Sequence, residues 1–316
     1  MRIWVMAAFL FIIMAVAGAQ ESTPRQIADI EVDSQGNLYV LDSFRDEVLL
    51  LGKDGKLLKW GSLAGENEKP SNTLQLVRLT SPPSVAAISS NGLGVRDVTD
   101  PKAIHTIFPP FANDRIVGMD AQGRLYYPNR DRNRVERYEV GDKSSVISDP
   151  GISLKQSGTA ACTLVIDGNV QGPAHFEHPY RIDIDALGNI WILDESDTEN
   201  VFDGQGKFLR EIKGPDSKNQ SFHRIVDMES DAKGNTYFAC LESKDILKYD
   251  RMGNLVKIKT GWARALGMDT TGRFYVCGDP AVVGDFPRIR IVPAIKALDE
   301  TGHLLYTIVV PETPKQ

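Results

Sequence analysis

Three cysteines in 316 residues cannot supply a disulfide framework, so this chain must hold together by burying apolar surface. Cys240 and Cys277 read as small buried hydrophobes on the second strands of neighbouring repeats, with a bridge between them as the alternative, and Cys162 is left over either way. Histidine is also scarce, at five residues, which leaves little room for a histidine-based metal centre. Basic residues are outnumbered, 36 against 42 acidic, for a net charge of −6. That balance disfavours nucleic acid and anionic membrane as partners, because phosphate binding needs clustered cations. The catalytic signatures G-x-S-x-G and H-E-x-x-H, the phosphate loop and the dinucleotide fingerprint are all missing.

Long apolar runs are missing too, with one exception. Met1-Arg2 precedes a run from Ile3 to Ala17 that closes on Ala17-Gly18-Ala19, the pattern of a secretory signal with an A-x-A cleavage site. An uncleaved anchor is the alternative, but the run is short for a membrane span. No cysteine follows the cleavage site, so a lipid anchor is not indicated. The expectation is a signal peptide over 1–19 and one exported domain over 20–316. It would be periplasmic or extracellular and monomeric, with no integral membrane span once the signal is removed.

What the chain has in quantity is a repeat. Asp, two spacers, Gly and an aromatic three places later recur at Asp33-Gly36-Tyr39, Asp120-Gly123-Tyr126, Asp185-Gly188-Trp191, Asp231-Gly234-Tyr237 and Asp269-Gly272-Tyr275. Each copy lies between two runs of strand chemistry and reads as a hairpin whose Gly supplies positive φ. Gly55, Gly206 and Gly253 mark a second turn in three of the repeats. Third strands precede these at Glu47 to Leu51, Glu199 to Phe202 and Asp245 to Tyr249. Such a unit is a four-stranded antiparallel meander, the blade of a β-propeller. Counting Ser89-Ser90-Asn91-Gly92 with Val95 as a worn second copy, its neighbours Pro82-Pro83 and Pro109-Pro110 bracketing it, gives six blades, the second degenerate. The fold class expected is all-β, a six-bladed propeller.

The run from Ile30 to Asp42, closing on Val48 to Lys56, resembles an NHL-type repeat, as does the copy beginning at His178-Pro179. The resemblance covers most of residues 27 to 309. It implies a six-bladed propeller, in agreement with the count, and leaves activity open, since propellers of this type include scaffolds, sugar and protein binders, and some lyases and lactonases.

Alternation of connections puts the Asp-x-x-Gly turns on one face and the insertions on the other: Ser62 to Ser81, Gly141 to Glu177, and Gly278 to Pro287. Segments leading into the innermost strands would ring the tunnel mouth there, with Glu177 and His178, His223 and Arg224, Trp262, and Asn113 and Asp114. Glu177, His178, His223, Trp262 and Arg181 are the candidate binding residues. Two histidines and a carboxylate near one axis also suit metal binding or acid–base work, and the resemblance implies His and Glu around such a mouth in lyases. On the innermost strands themselves, Asp29 and Glu31, Arg181 and Asp183, and Asp227 and Glu229 alternate with apolar residues, while Ala87, Gly118 and Gly267 occupy one row elsewhere. Asp29, Glu31, Asp183, Asp227 and Glu229 are candidate ligands of a central cation, Ca²⁺ or Zn²⁺; the alternative is a water-filled tunnel in which Arg181 and Arg264 pair the acids.

Arg130, Arg132 and Arg134 read as a solvated rim, and Asn219-Gln220-Ser221 fits a glycosylation sequon. The function expected is a scaffold binding protein, a small molecule or carbohydrate at its loop-rich face. The alternative is a metal-assisted lyase or an ester or lactone hydrolase at the tunnel mouth.

Overall fold

The computed structural model describes residues 25–62, 73–80, 83–89, 94–96, 104–106, 118–139 without 121 and 123, and 161–313 without 186, 197, 215–224, 232, 241–243 and 284–289. Residues 1–24, His223 and Arg224, Asn113 and Asp114, and the sequon lie outside the described residues. Every described strand pair is antiparallel.

The first sheet runs β1 (Ile27–Val32), β2 (Leu38–Asp42), β3 (Glu47–Leu51), β4 (Leu57–Ser62) in that spatial order. Two hairpins follow, β5 (Thr73–Thr80) with β6 (Pro83–Ser89), and β7 (Gly94–Arg96) with β8 (Ile104–Thr106). The next sheet comprises β9 (Gly118–Met119), β10 (Leu125–Asn129), β11 (Arg134–Glu139) and β12 (Ala161–Asp167). A further two are β13 (Arg181–Ile184), β14 (Ile190–Leu193), β15 (Thr198–Phe202), β16 (Phe208–Lys213), and β17 (Ile225–Ser230), β18 (Thr236–Cys240), β19 (Asp245–Tyr249), β20 (Leu255–Lys259). In the last, β21 (Ala263–Met268) and β22 (Phe274–Gly278) are followed by a small hairpin, β23 (Ala281–Val283) and β24 (Arg290–Val292), before β25 (Ala294–Leu298) and β26 (Leu304–Val309) complete the meander.

The repeated Asp explains why each turn forms. Asp185 Oδ1 accepts the N–H groups of Leu187 and Asn189, while Oδ2 accepts from the Asn189 amide at 2.8 Å and the Trp191 indole at 3.0 Å. Asp231 does the same with Lys233, Asn235 and the Tyr237 hydroxyl. One carboxylate thus satisfies the turn's backbone donors and also fixes the aromatic of the following strand. All five aromatics sit in one register position: Tyr39 faces Glu31, Tyr126 Gly118, Trp191 Asp183, Tyr237 Glu229 and Tyr275 Gly267. Apolar layers between the sheets form the core. Trp191, Leu193 and Val201 pack against Met228, Phe238 and Leu247, and Ile30, Val40 and Leu49 against Ala265, Tyr275 and Ile295.

The glycine row has a steric cause. A Cβ on Gly267 would lie 2.8 Å from the Ile30 carbonyl oxygen, and one on Gly118 would lie 2.9 Å from Ile182 Cγ2. At both places the innermost strand of a neighbouring sheet comes in close, and only glycine leaves room.

Several sequence expectations need correction. The first two strands of the second repeat are β5 and β6, paired from Thr73↔Ser89 to Thr80↔Pro83, so the Gly92 stretch falls after them in the chain, between β6 and β7. Proline can open β6 because the first residue of a strand need not donate to the ladder. The insertion expected from Ser62 to Ser81 therefore shrinks, and Ala87 belongs to β6, opposite Leu76, rather than to an innermost strand. Of the stretch Gly141 to Glu177, residues 161–167 form β12, the outer strand of the third sheet. Leu125 pairs with both Met119 and Tyr138 and Glu139 pairs with Ala161, so β11 ends and β12 begins at the Asp120 turn end, opposite to the face expected for this stretch. A fourth second turn exists at Asp299 to Gly302, where Asp299 accepts the N–H groups of Thr301 and His303. None of Cys162, Cys240 and Cys277 is in a disulfide, and the last two are buried.

Candidate functional site

Polar side chains gather in two places, along the innermost strands and on the rim opposite the Asp-x-x-Gly turns. On the inner strands, Asp29 Oδ1 accepts from the Ile30 N–H at 2.8 Å and Oδ2 from the Leu76 N–H on β5 at 2.7 Å. Asp227 repeats this, taking the Met228 N–H on its own strand and the Leu266 N–H on β21 at 2.7 Å. Register shifts at Ile27/Asp29 and Ile225/Asp227 turn these carboxylates toward the adjacent sheet. Arg181 completes the pattern, donating to the Val226 carbonyl at 2.8 Å and to Asp227 Oδ1 at 2.6 Å. These three residues peg one sheet to the next.

Their electrostatics follow from enclosure. Burial, then the charges of Asp227 and Glu31, push the Asp29 carboxyl well above the usual range. Burial also raises Asp227, against the pull of Arg181, and lifts Asp183 to about 7. Burial disfavours the Arg181 cation, but Asp227, Asp183 and Asp29 outweigh it and its pKa rises. Glu199, on β15, is raised strongly by burial and neither of its oxygens has a hydrogen-bond partner. Of the five candidate cation ligands, Asp29 and Asp227 spend both oxygens on backbone N–H groups, and among the described residues no three His, Cys, Asp or Glu side chains converge as a metal cage. Arg264, the other cation expected among these acids, is exposed.

The rim site lies between β12 and β13. Phe176 is fully buried, edge-on to Phe202 at 6.1 Å, and anchors a segment whose neighbours His175, Glu177 and His178 all face solvent. His175 Nδ1 lies 2.8 Å from the Gly168 carbonyl and Nε2 lies 3.3 Å from Glu177 Oε1. The Gly168 carbonyl, and then Glu177, raise the His175 pKa and favour its imidazolium. His178 has φ of 51°, a left-handed conformation costly for a residue with a Cβ, and its N–H donates to Asn133 Oδ1 at 2.7 Å. Asn133, itself at φ 50°, also donates through Nδ2 to the Phe176 carbonyl at 2.9 Å. The Glu177 N–H is held by Asp194 Oδ2 at 2.9 Å.

Glu177 and His178 thus share one rim site with His175, which was quoted only as part of its tetrapeptide, and with Asn133, which sequence reasoning missed. Its left-handed conformation at the end of the Arg130–Arg132 turn is visible only in the fold. Arg130 pairs with Glu195 and Arg134 with Glu136, so this arginine group is an ion-paired rim. Trp262 is on the same face, on the β20–β21 connection, 44% exposed. Arg181 is buried and committed to its peg.

No protein-family model and no curated protein matches the chain. Among solved structures it is similar to a streptogramin B lyase, with TM-score 0.55 and 12% identity over 89% of this chain and 93% of that one. It is also similar to virginiamycin B lyase from Staphylococcus aureus, with TM-score 0.52 and 12% identity over 87% of this chain and 92% of that one. A catalytically inactive variant of the same enzyme with quinupristin gives TM-score 0.54 and 13% identity over 90% and 94%. At such identity the likeness speaks for fold alone, and with the sheets above it establishes an all-β chain with a β-propeller fold built of four-stranded antiparallel sheets.

Proposed function

We infer that this is a six-bladed, NHL-like propeller that is exported and binds a protein, small-molecule or carbohydrate ligand on the rim formed by His175, Glu177 and His178. The ring in this reading runs through β1, β5, β9, β13, β17 and β21, with β5 to β8 as the second blade. Support comes from the packing of β5 between β1 and β9, of β9 on β13, and of β21 on both β17 and β1. The Arg181 bridge adds β13 to β17.

The observation that carries the binding reading is the held strain at His178. A left-handed histidine costs about 1–2 kcal/mol, and here two side-chain hydrogen bonds from Asn133 and a buried Phe176 keep the segment in place. Such strain, spent to present three exposed polar side chains, suits recognition. The test is capture of a ligand by the full chain, compared with His175→Ala/Glu177→Gln and with His178→Gly, which removes the ring and relaxes the backbone. A Ser34→Ala/Lys233→Ala pair on the turn face is the control. Binding lost in the control and kept in the rim variants overturns the assignment.

The His175–Glu177 pair favours lyase chemistry as a second reading. With Nδ1–H given to the Gly168 carbonyl, the protonated His175 Nε2 can return a proton to a leaving group while the Glu177 carboxylate beside it takes one from a carbon acid. Streptogramin B and virginiamycin B, the compounds in the neighbours' names, are the first substrates to assay; activity that survives His175→Ala would sink this reading.

A further inference from the structure

A second polar cluster on the same face, at the joint of the last two sheets and centred on the candidate residue Trp262, takes no part in the rim site. Trp262 keeps 44% of its surface in solvent although it belongs to a tightly fixed connection. The N–H groups of Thr260 and Gly261 both donate to the Lys244 carbonyl, at 3.2 and 3.1 Å, which ties the start of β19 to the end of β20. Gly261 has φ of +84°, and a Cβ there would lie 2.5 Å from Asp279 Oδ2. The Trp262 carbonyl stands where a side chain on residue 278 would go, so Gly278 lets β22 close on it. An exposed indole on so constrained a backbone is a pre-placed platform, with its ordering entropy already spent in folding.

Cations adjoin that platform: the Lys244 ammonium lies over the Trp262 ring, 5.6 Å from its centroid, and Arg264, two residues on, is exposed at the register shift of β21. Among the described residues neither cation has a carboxylate partner within an ion pair. Asp279 is held by Lys296 at 2.7 Å and still exposes part of its carboxylate.

We propose that Trp262, Lys244, Arg264 and Asp279 form a subsite for an acidic saccharide, a uronic-acid residue of an oligosaccharide. The apolar C–H face of a pyranose stacks on the open part of the indole, its carboxylate takes the two cations, and its hydroxyls donate to Asp279. A planar aromatic acid would satisfy the first two elements but offers no hydroxyl to the fixed carboxylate. This subsite is separate from the His175 rim and does not depend on the reading of that rim.

Calorimetric titration of the full chain with hexagalacturonate tests it, with cellohexaose as the neutral sugar and benzoate as the aromatic acid. Hexagalacturonate should bind more tightly than either. Trp262→Ala should weaken it by about tenfold or more, the loss of a stacking platform. Arg264→Gln should weaken it several-fold and flatten its salt dependence, leaving cellohexaose unchanged. His175→Ala should have no effect. Equal binding of cellohexaose with no response to Arg264→Gln, preference for benzoate, loss of binding in His175→Ala, or no binding by a folded chain would each overturn the proposal.

Discussion

Arg181 faces more carboxylates than it can neutralise. It bonds Asp227 and lies in the fields of Asp183 and Asp29, so its removal leaves buried acids uncompensated. Arg181→Met should cost about 3–5 kcal/mol at pH 7, the usual penalty for breaking a buried pair from one side, and urea denaturation would measure it. The loss should shrink as pH falls, because burial holds Asp29 and Asp227 above the ordinary carboxyl range and protonation relieves them. Asp183 gives the matching pH effect. Its folded value of about 7 stands above the ordinary value near about 4, so between those limits the fold keeps a proton that the unfolded chain has released. The stability it contributes is full at acid pH and lost as pH rises toward 7. Urea midpoints should therefore fall from pH 5 to pH 8, and Asp183→Asn should flatten that slope; an unchanged slope would show that Asp183 titrates normally.

At the scale of the hairpin, the turn carboxylate matters more than the aromatic it holds. Tyr237→Phe removes one bond, the hydroxyl to Asp231 at 3.0 Å, and should cost about 1 kcal/mol. Asp185→Ala strips partners from two backbone N–H groups, an amide and an indole, and should cost about 2–4 kcal/mol. Thermal melts of the two variants would rank them, and equal losses would refute the carboxylate's leading part. This local economy is why the five Asp-x-x-Gly hairpins were legible in the sequence: Asp185, Gly188 and Trp191 bond one another within six residues. The second repeat was misread because the sequence between its paired strands β5 and β6 is Ser81-Pro82, without that signature. The β12 strand was missed because residues 140–160 separate it from its partner, and Gly302 because the β23–β24 hairpin interrupts the last meander. Glu177 and His178 could be assigned to the rim from position alone. Asn133 could not, since its bond to the Phe176 carbonyl spans 43 residues and nothing local announces it.

Across the whole molecule, the joint between the first and last sheets is fastened twice. Apolar packing supplies one fastening, with Ile30 and Val40 on one side and Ala265, Tyr275 and Val310 on the other. The second is polar. The Arg25 side chain is only 1% exposed and reaches Asp42 at 2.9 Å, Glu47 at 3.3 Å and the Thr313 hydroxyl at 3.2 Å, while Arg45 meets Glu312 at 2.9 Å. Residues from both ends of the described chain thus converge on the β2–β3 connection, and among the described residues no strand crosses between the two sheets to do the same work. Because Asp42 and Arg25 are buried, their loss differs from loss of the exposed Arg45–Glu312 pair, which should be worth under about 1 kcal/mol. Arg25→Ala should cost about 3 kcal/mol, and its effect should be regional. Hydrogen exchange should quicken in β1, β3 and β26, beside the clasp, and stay unchanged in β10 and β14, whose sheets pack on each other through β9, β10 and β13. Uniform acceleration in every sheet would mean that the clasp supports global stability without guarding this joint. No acceleration anywhere would mean that the apolar layer between β1 and β21 suffices alone.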